Sequence, residues 1–337
     1  MNKILEIRNL KKYFPIKKGV FLKTVGNVKA LEEASLTVHE NETVGVVGES
    51  GCGKSTLGKL ITKIHQPTKG NVFYYNKNRE MIDVSKKLSK KKNMEFRSDV
   101  QMIFQNPFDS LDPRMTVGDI IREPLKIHKK FNDKKEEETY VKKLLKEVGL
   151  YEDYFSRYPH EFSGGQRQRI AVARSIALKP RLVISDEPTS ALDVSVQSQV
   201  INLMKKIQNE NNIAYLFISH NLDIVYHVSD RIIVMYLGNV VEEAKAEELF
   251  NNPLHPYTIA LMNSMPGWNP KDRKLSQVSI KGEPPSPINP PTGCPFHPRC
   301  PRKMDICSRI KPKYNENDVH KVACHLHNDV RVNNEKN

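Results

Sequence analysis

The stretch TVGVVGESGCGKSTLGKLI, residues 43–61, decides the fold. A short apolar run ends in a glycine-rich turn, and the turn opens a segment of helical spacing, which predicts strand, loop and helix in that order. In such a loop successive backbone amides wrap phosphates at a helix N-terminus, where the aligned peptide dipoles favour an anion. The expected cradle is Gly48, Glu49, Ser50, Gly51, Cys52, Gly53, Lys54, Ser55 and Thr56. Gly51 and Gly53 let the backbone approach without a Cβ in the way, Lys54 reaches the β- and γ-phosphates, and Ser55 coordinates Mg²⁺. Cys52 reads as a bystander, although a thiol beside a phosphate is also a candidate for modification.

Outward from the cradle, LVIS (182–185), AYLFIS (214–219) and RIIVM (231–235) are further short apolar runs separated by helix-compatible segments. They read as buried parallel strands with crossovers, so the body is α/β. Between roughly residues 105 and 165 the strand signals stop, and Val141, Leu144, Leu145 and Val148 recur at helical spacing. This segment is expected to be a helical subdomain. Composition changes near Asn251: 13 of the 21 prolines lie between Pro253 and Pro312, and four of the five cysteines between Cys294 and Cys324. Proline lacks the amide donor, so KGEPPSPINPPTG reads as a linker into a small module. The expected division is a nucleotide domain, 1–250, and an extension, 251–337.

The formal charge of +14 is spread over lysine-rich stretches diluted by acids, near Lys11–Lys29, Lys77–Arg97 and Lys126–Lys146. Solvated faces fit them, as does attraction to a nucleotide or an anionic membrane surface. With no zinc-finger spacing and no ribonucleoprotein motif, nucleic acid is not the expected partner. No apolar run approaches the roughly 18 to 20 residues that span a bilayer, and Glu6 and Arg8 interrupt the first residues, so neither a membrane span nor a secretion signal is expected. An odd number of cysteines fits a reducing, cytosolic compartment.

RLVISDEPTSALD places Asp186 and Glu187 at a strand end facing the nucleotide crevice. Asp186 suits the Mg²⁺ shell, and Glu187 suits polarising a water for in-line attack on the γ-phosphate. LFISH puts His220 at an equivalent strand end. FSGGQRQR, residues 162–169, supplies a second anion-binding helix start through Ser163, Gly164, Gly165 and Gln166. One nucleotide does not need both starts. A dimer in which each cradle is completed by the partner's Ser-Gly-Gly turn accounts for the pair.

These motifs together resemble the ATP-binding subunits of ABC transporters, across residues 1 to about 250 and in the family's order. GESGCGKST resembles Walker A, LVISDE Walker B, and FSGGQ the signature, with Phe162 in place of the commoner Leu. The resemblance implies a P-loop ABC-type nucleotide domain. It makes Gln105 of IFQNP the Q-loop glutamine, which contacts Mg²⁺ or the attacking water and links the site to membrane subunits. It makes Asp193 of SALD the D-loop residue and His220 the switch histidine. Phe14, or its neighbour Tyr13, sits where the family stacks an aromatic on adenine, and core packing is the other reading.

FQNPFDSLDPRMTVGDIIREPL, HPYT (255–258) and GCPFHPRCP further resemble the oligopeptide/dipeptide uptake group, over nearly the whole chain. That implies an importer ATPase with a second, similar ATP-binding subunit, two separate permeases and, indirectly, an extracellular binding protein. The cargo is di- or oligopeptides, or nickel or another metal chelate. A soluble ABC ATPase acting on nucleic acid or ribosomes, and a regulatory subunit that holds ATP without turnover, are the other readings. Cys294, Cys300, Cys307 and Cys324 are separated by five, six and sixteen intervening residues, without the two-residue spacing common in zinc sites. Four thiols in a small proline-rich segment suggest one metal centre. The resemblance implies a [4Fe-4S] cluster; zinc and free thiols are the alternatives, with His297, His320, His325 and His327 as substitute ligands.

Overall fold

The computed structural model describes residues 2–20, 22–106, 110–264, 280, 282–314 and 319–327. Residues 107–109 of the FQNPFDSLDP motif and Lys281 of the proline-rich stretch lie outside them. The four apolar runs are strands: β3 (Thr43–Val47), β7 (Leu182–Asp186), β8 (Ala214–Ile218) and β9 (Arg231–Tyr236). With β6 (Val100–Ile103) they pair in parallel in the order β9-β3-β8-β7-β6. Val44 and Val46 of β3 enter one buried cluster and Val47 the other; Leu216 and Ile218 of β8 are likewise separated from Tyr215 and Phe217. Both faces of the sheet are therefore covered, which is why these strands read as continuous apolar runs rather than as an alternation.

The sequence had given no strand for the lysine-rich start of the chain. Residues 3–18 and 23–39 instead pair as two long antiparallel strands, β1 (Lys3–Lys18) and β2 (Lys23–His39), extended by β4 (Lys69–Tyr75) and β5 (Met81–Asp83). Their Leu5, Ile7, Leu10 and Leu31 are buried while the lysines stay at the surface. β10 (Asn239–Lys245) turns back antiparallel on β9 and touches β2, joining the two blocks into one sheet.

Among the described residues no strand lies between Ile103 and Leu182. That interval holds three of the helices that follow α1 (Lys54–Ile61) and α2 (Lys90–Asp99): α3 (Val117–Ile127), α4 (Lys134–Glu147) and α5 (Gly164–Ile176). Asp133 caps α4 by accepting from the Lys135 N–H, and Val141, Leu144, Leu145 and Val148 are all buried. This is the stripe the spacing predicts. After β7 come α6 (Val194–Asn211) and, between β8 and β9, α7 (Leu222–Val228).

Beyond residue 250 the largest buried side chains among the described residues join the core of the body. After α8 (Ala246–Asn251), helix α9 (Pro256–Asn263) buries Tyr257, and Phe296 is fully enclosed among Tyr236, Tyr257 and His255. Tyr257, Met262, Cys294, Phe296 and Cys307 belong to the same apolar cluster as Val47 and Val234 of the central strands. A last strand, β11 (Lys321–Val322), adds to β10. The sequence had suggested a module dependent on a metal staple; in the fold it borrows the body's core, and a side chain like Phe296 supplies about 1.5–3 kcal/mol by burial alone.

Candidate active site

The cradle sits between β3 and α1, at the carboxyl end of a strand flanked on both sides by parallel neighbours. Gly53 takes the left-handed conformation, φ 105°, and a Cβ there would stand 2.3 Å from the Ala30 carbonyl oxygen of β2. Only glycine fits. Gly53 also precedes α1 without offering a side-chain cap, so the first amides of α1 have no side-chain acceptor. On the other side the Gly238 N–H donates to the Cys52 carbonyl at 2.9 Å. Ser50 and Gly51 form the exposed lip, and a Cβ on Gly51 would meet nothing within 4 Å.

Lys54 is 4% exposed and its Nζ donates to the carbonyls of Gly48 and Glu49, at 2.7 and 3.1 Å. An ammonium folded over the loop in this way is placed to meet an anion held by it. Burial raises the pKa of the Cys52 thiol, against the pull of Lys54. The thiol stays protonated, which fits the bystander role and not a reactive one. Ser55 Oγ donates to Asp186 Oδ1 at 2.8 Å, and Asp186 is buried, with its pKa raised by desolvation against that bond. A hydroxyl and a carboxylate meeting at the foot of the loop are a hard-oxygen donor set that fits Mg²⁺.

Three other expected residues converge on one atom. Gln105 Nε2 donates to Glu187 Oε2 at 2.9 Å, and His220 Nδ1 lies 3.3 Å from the same oxygen. Each lies one or two residues past the end of its strand, β6, β7 and β8 respectively. Glu187 has φ 46°, an uncommon backbone for a residue with a side chain, and its N–H is tied to the Ile218 carbonyl at 2.9 Å. Such strain persists where the surroundings over-determine it and is concentrated at functional sites. His220 is 59% exposed, so the imidazole stands at the mouth while Glu187 lies further in. A carboxylate, an amide and an imidazole so gathered can order and polarise a water.

The second anion turn is built differently. Ser163 is exposed and starts α5 as its N-cap, with a capping box: Ser163 Oγ accepts from the Gln166 N–H at 3.4 Å, and Gln166 Oε1 accepts from the Ser163 N–H at 3.0 Å. Gly164 is half-buried and Gly165 is buried against Val196. Phe162, the unusual first residue of the motif, is buried edge-on to Tyr154. Asp193 is exposed at the start of α6, and its carboxylate makes no capping bond. Phe14 and Tyr13 both lie outside the buried clusters, which removes core packing as their explanation. The Tyr13 hydroxyl is tied to both oxygens of Glu32, whereas the Phe14 ring stands edge-to-face with His65 and beneath the Lys12 ammonium.

Cys294, Cys307 and Cys324 are buried and Cys300 half-buried, and all are free thiols. Burial pushes Cys294 up to about 12 and Cys324 up to about 11, and raises Cys300; the other thiols of the set add to each shift. They are near enough to feel one another's charge. Yet among the described residues no group of three or more His, Cys, Asp or Glu side chains is placed to hold a metal ion. The suggested histidines are engaged elsewhere: His320 with Glu242, His325 with the Ile310 carbonyl, His327 with the Leu254 carbonyl and His297 with the Cys294 carbonyl.

Sequence reading missed two residues that reach the cradle. Arg299 forms an ion pair with Glu49, and the Tyr257 hydroxyl accepts from the Glu49 N–H. Both stand inside motifs, GCPFHPRCP and HPYT, in which nothing local signals a contact with a residue more than 200 positions earlier.

With this geometry in hand, the ABC transporter family matches residues 31–190 and the oligopeptide/dipeptide transporter C-terminal region matches residues 241–307. The oligopeptide transport ATP-binding protein AppF of Bacillus subtilis is 49% identical over 326 residues, 96% of this chain and 97% of AppF. The dipeptide transport ATP-binding protein DppF of Escherichia coli is 46% identical over 95% of this chain and 93% of its own length. Among solved structures, the dimeric post-hydrolysis ATP-binding cassette MJ0796 bound to ADP and Pi is 29% identical with a TM-score of 0.61, covering 72% of this chain and 99% of that one. A P-loop ABC-type ATPase is the class that fold and site define. The chain belongs to the oligopeptide/dipeptide group of ABC transporter ATP-binding proteins. ATP binding with Mg²⁺ is general to that class. Among the described residues no helix is long and apolar enough to cross a membrane.

Proposed function

We propose that this chain is the ATP-hydrolysing subunit of an importer of di- or oligopeptides, working at the cytoplasmic face of the cell membrane on two permease chains and beside a second, similar ATP-binding subunit. The gathering of Gln105 and His220 on the Glu187 carboxylate, next to the Ser55–Asp186 pair, carries this reading. Ser55 and Asp186, together with Gln105, would hold Mg²⁺, which would supply neutralisation of the phosphate charge. The chain's own residues do the rest: the cradle amides and Lys54 hold the triphosphate, Phe14 faces the adenine, Glu187 takes up the proton of the attacking water, and His220 and Gln105 orient both.

In the same reading the Ser163–Gln166 turn and Asp193 act on the partner subunit's nucleotide, so that ATP closes a two-subunit sandwich and hydrolysis reopens it. Residues 1–250 are the ATPase domain with its helical subdomain at about 105–165, and 251–337 the extension. A groove of about 440 Å³ beside Gln105, lined by Arg97, Phe104, Ile127 and Arg174, is where a permease segment would seat and feel the site. Cargo selection belongs to the permeases and an extracellular binding protein; the names of the similar proteins favour peptides over metal chelates, and no nucleic acid partner is part of the reading. A [4Fe-4S] or zinc centre on Cys294, Cys300, Cys307 and Cys324 remains part of the reading, supported by thiols that raise one another's pKa. Anaerobic purification with iron, sulfide and zinc analysis decides it, and a metal-free, fully active complex removes it.

The central test is Glu187→Gln. Turnover in the assembled transporter is expected to vanish while ATP still closes the subunit pair. Unchanged hydrolysis removes Glu187 from the mechanism.

A further inference from the structure

The extension reaches back to the second residue of the phosphate loop. Arg299 sets NH1 2.8 Å from Glu49 Oε2 and NH2 3.1 Å from Glu49 Oε1, a two-pronged pairing, and NH1 also lies 3.3 Å from the Tyr236 hydroxyl. The guanidinium is 8% exposed and the Glu49 side chain 25%, so this is not a solvated surface pair that salt would screen away. From α9, the enclosed Tyr257 hydroxyl accepts from the Glu49 N–H at 2.8 Å. Glu49 is therefore held at its amide and at its carboxylate by residues 208 and 250 positions further along the chain.

The carbonyls on which Lys54 rests belong to Gly48 and to Glu49 itself. Whatever fixes Glu49 fixes that side of the cradle. Glu49 also places a carboxylate beside a site meant for a triphosphate, where an unpaired negative charge repels the ligand. Arg299 supplies the compensating charge in a geometry that a lone lysine cannot reproduce.

We propose that Arg299 and Tyr257 are positioning residues for nucleotide binding, so that docking of the C-terminal extension sets the affinity of the cradle for ATP. The inference rests on residues 48–56 being the ATP cradle. Coupling of this kind is reciprocal: bound nucleotide holds the extension down as much as the extension tightens the nucleotide.

The test is calorimetric titration of the full-length chain with Mg-ATP. Arg299→Met is expected to raise the Kd about tenfold, which corresponds to about 1.4 kcal/mol. Tyr257→Phe is expected to raise it about threefold. Glu49→Gln in the Arg299→Met background should bind no more weakly than Arg299→Met alone, because the two side chains act as one unit. Saturating Mg-ATP should slow proteolysis of the extension in the parent chain and fail to do so in Arg299→Met. Affinity within twofold of the parent in Arg299→Met, or losses that multiply in the double variant, overturns the proposal; a purely structural staple would lower Tm and leave Kd alone. Where Arg299→Met does not fold, Arg299→Lys keeps the charge without the fork and is expected to weaken binding about threefold; unchanged binding overturns the proposal equally. Lys54→Ala is the separate control: if it leaves Mg-ATP binding intact, the cradle reading itself has failed.

Discussion

The two glycine-bearing helix starts, at α1 and α5, present opposite solutions to the same unsatisfied amides. The first has no side-chain cap and is pressed from several sides: Ala30 of β2 against Gly53, Gly238 on Cys52, and Tyr257 and Arg299 on Glu49. The second lies exposed at Ser163 and closes on itself through the Ser163–Gln166 box. An uncapped but buttressed helix start is ready for an anion within one chain. A self-capped, exposed one is stable without a ligand and free to be offered to another molecule.

The variant that breaks this contrast most is Lys54→Ala. It leaves the cradle's form and removes its buried charge, and calorimetry should show a loss of roughly a hundredfold in Mg-ATP affinity, the upper end for a charged hydrogen bond. Glu187→Gln separates binding from chemistry: about a thousandfold less turnover, typical for loss of a general base, with Mg-ATP affinity retained. Gly165→Val attacks the second start through packing, since its first side-chain atom would stand 2.4 Å from Val196 Cγ1. Thermal unfolding should report a loss of about 1–3 kcal/mol.

Ser163→Ala is the milder probe. It costs about 1 kcal/mol of stability as a lost cap. Its sharper readout is functional: turnover of the assembled transporter falls while the isolated chain binds Mg-ATP as before. A weakened isolated chain would mean that the two helix starts serve one nucleotide in one subunit.

The smallest effects come with pH and concern the buttress alone. Burial lowers His255 to about 4, so it is neutral in the fold and protonates on unfolding. Its contribution is complete above the ordinary histidine value and is lost as pH falls from about 6.5 towards 4. His320 runs the other way. Burial opposes its charge, but the bonds to Glu242 and Glu248 prevail and raise its pKa. That contribution is present below about 6.5 and is lost as pH rises through the raised value. Protease protection of the extension should accordingly be greatest in a band near neutrality. Replacing His320 with Ala should remove the alkaline shoulder and leave the acid one.

Parts of this molecule were plain from composition and spacing. TVGVV, LVIS, AYLFIS and RIIVM are covered on both faces, and a strand so covered leaves an unbroken apolar run. The α4 stripe of Val141, Leu144 and Leu145 was equally open, because one face of a surface helix must be apolar. The β1–β2 pairing was not, since its buried Leu5, Ile7 and Leu10 alternate irregularly with Glu6, Arg8 and Asn9 and its register is broken by bulges. The cysteine tail was legible only in part. Its spacing and proline content suggested a module stapled by metal, while Phe296 and Tyr257 were already supplying it with a place in the main core.

The sequence by itself determined the phosphate cradle, because a strand, a glycine turn and an uncapped helix start are properties of the contiguous residues 43–56 and of backbone sterics that act locally. It also named Asp186, Glu187 and His220 one at a time, through their positions at the ends of apolar runs, and Gln105 through the family resemblance alone. Only the tertiary structure decided that Gln105 and His220 meet on a single Glu187 oxygen, and that Arg299 closes on Glu49 from 250 residues away. Strand order and core packing bring these groups together. Neither leaves a periodic trace along the chain, since the energy that pays for such contacts is spread over the whole sheet and not over the residues that touch.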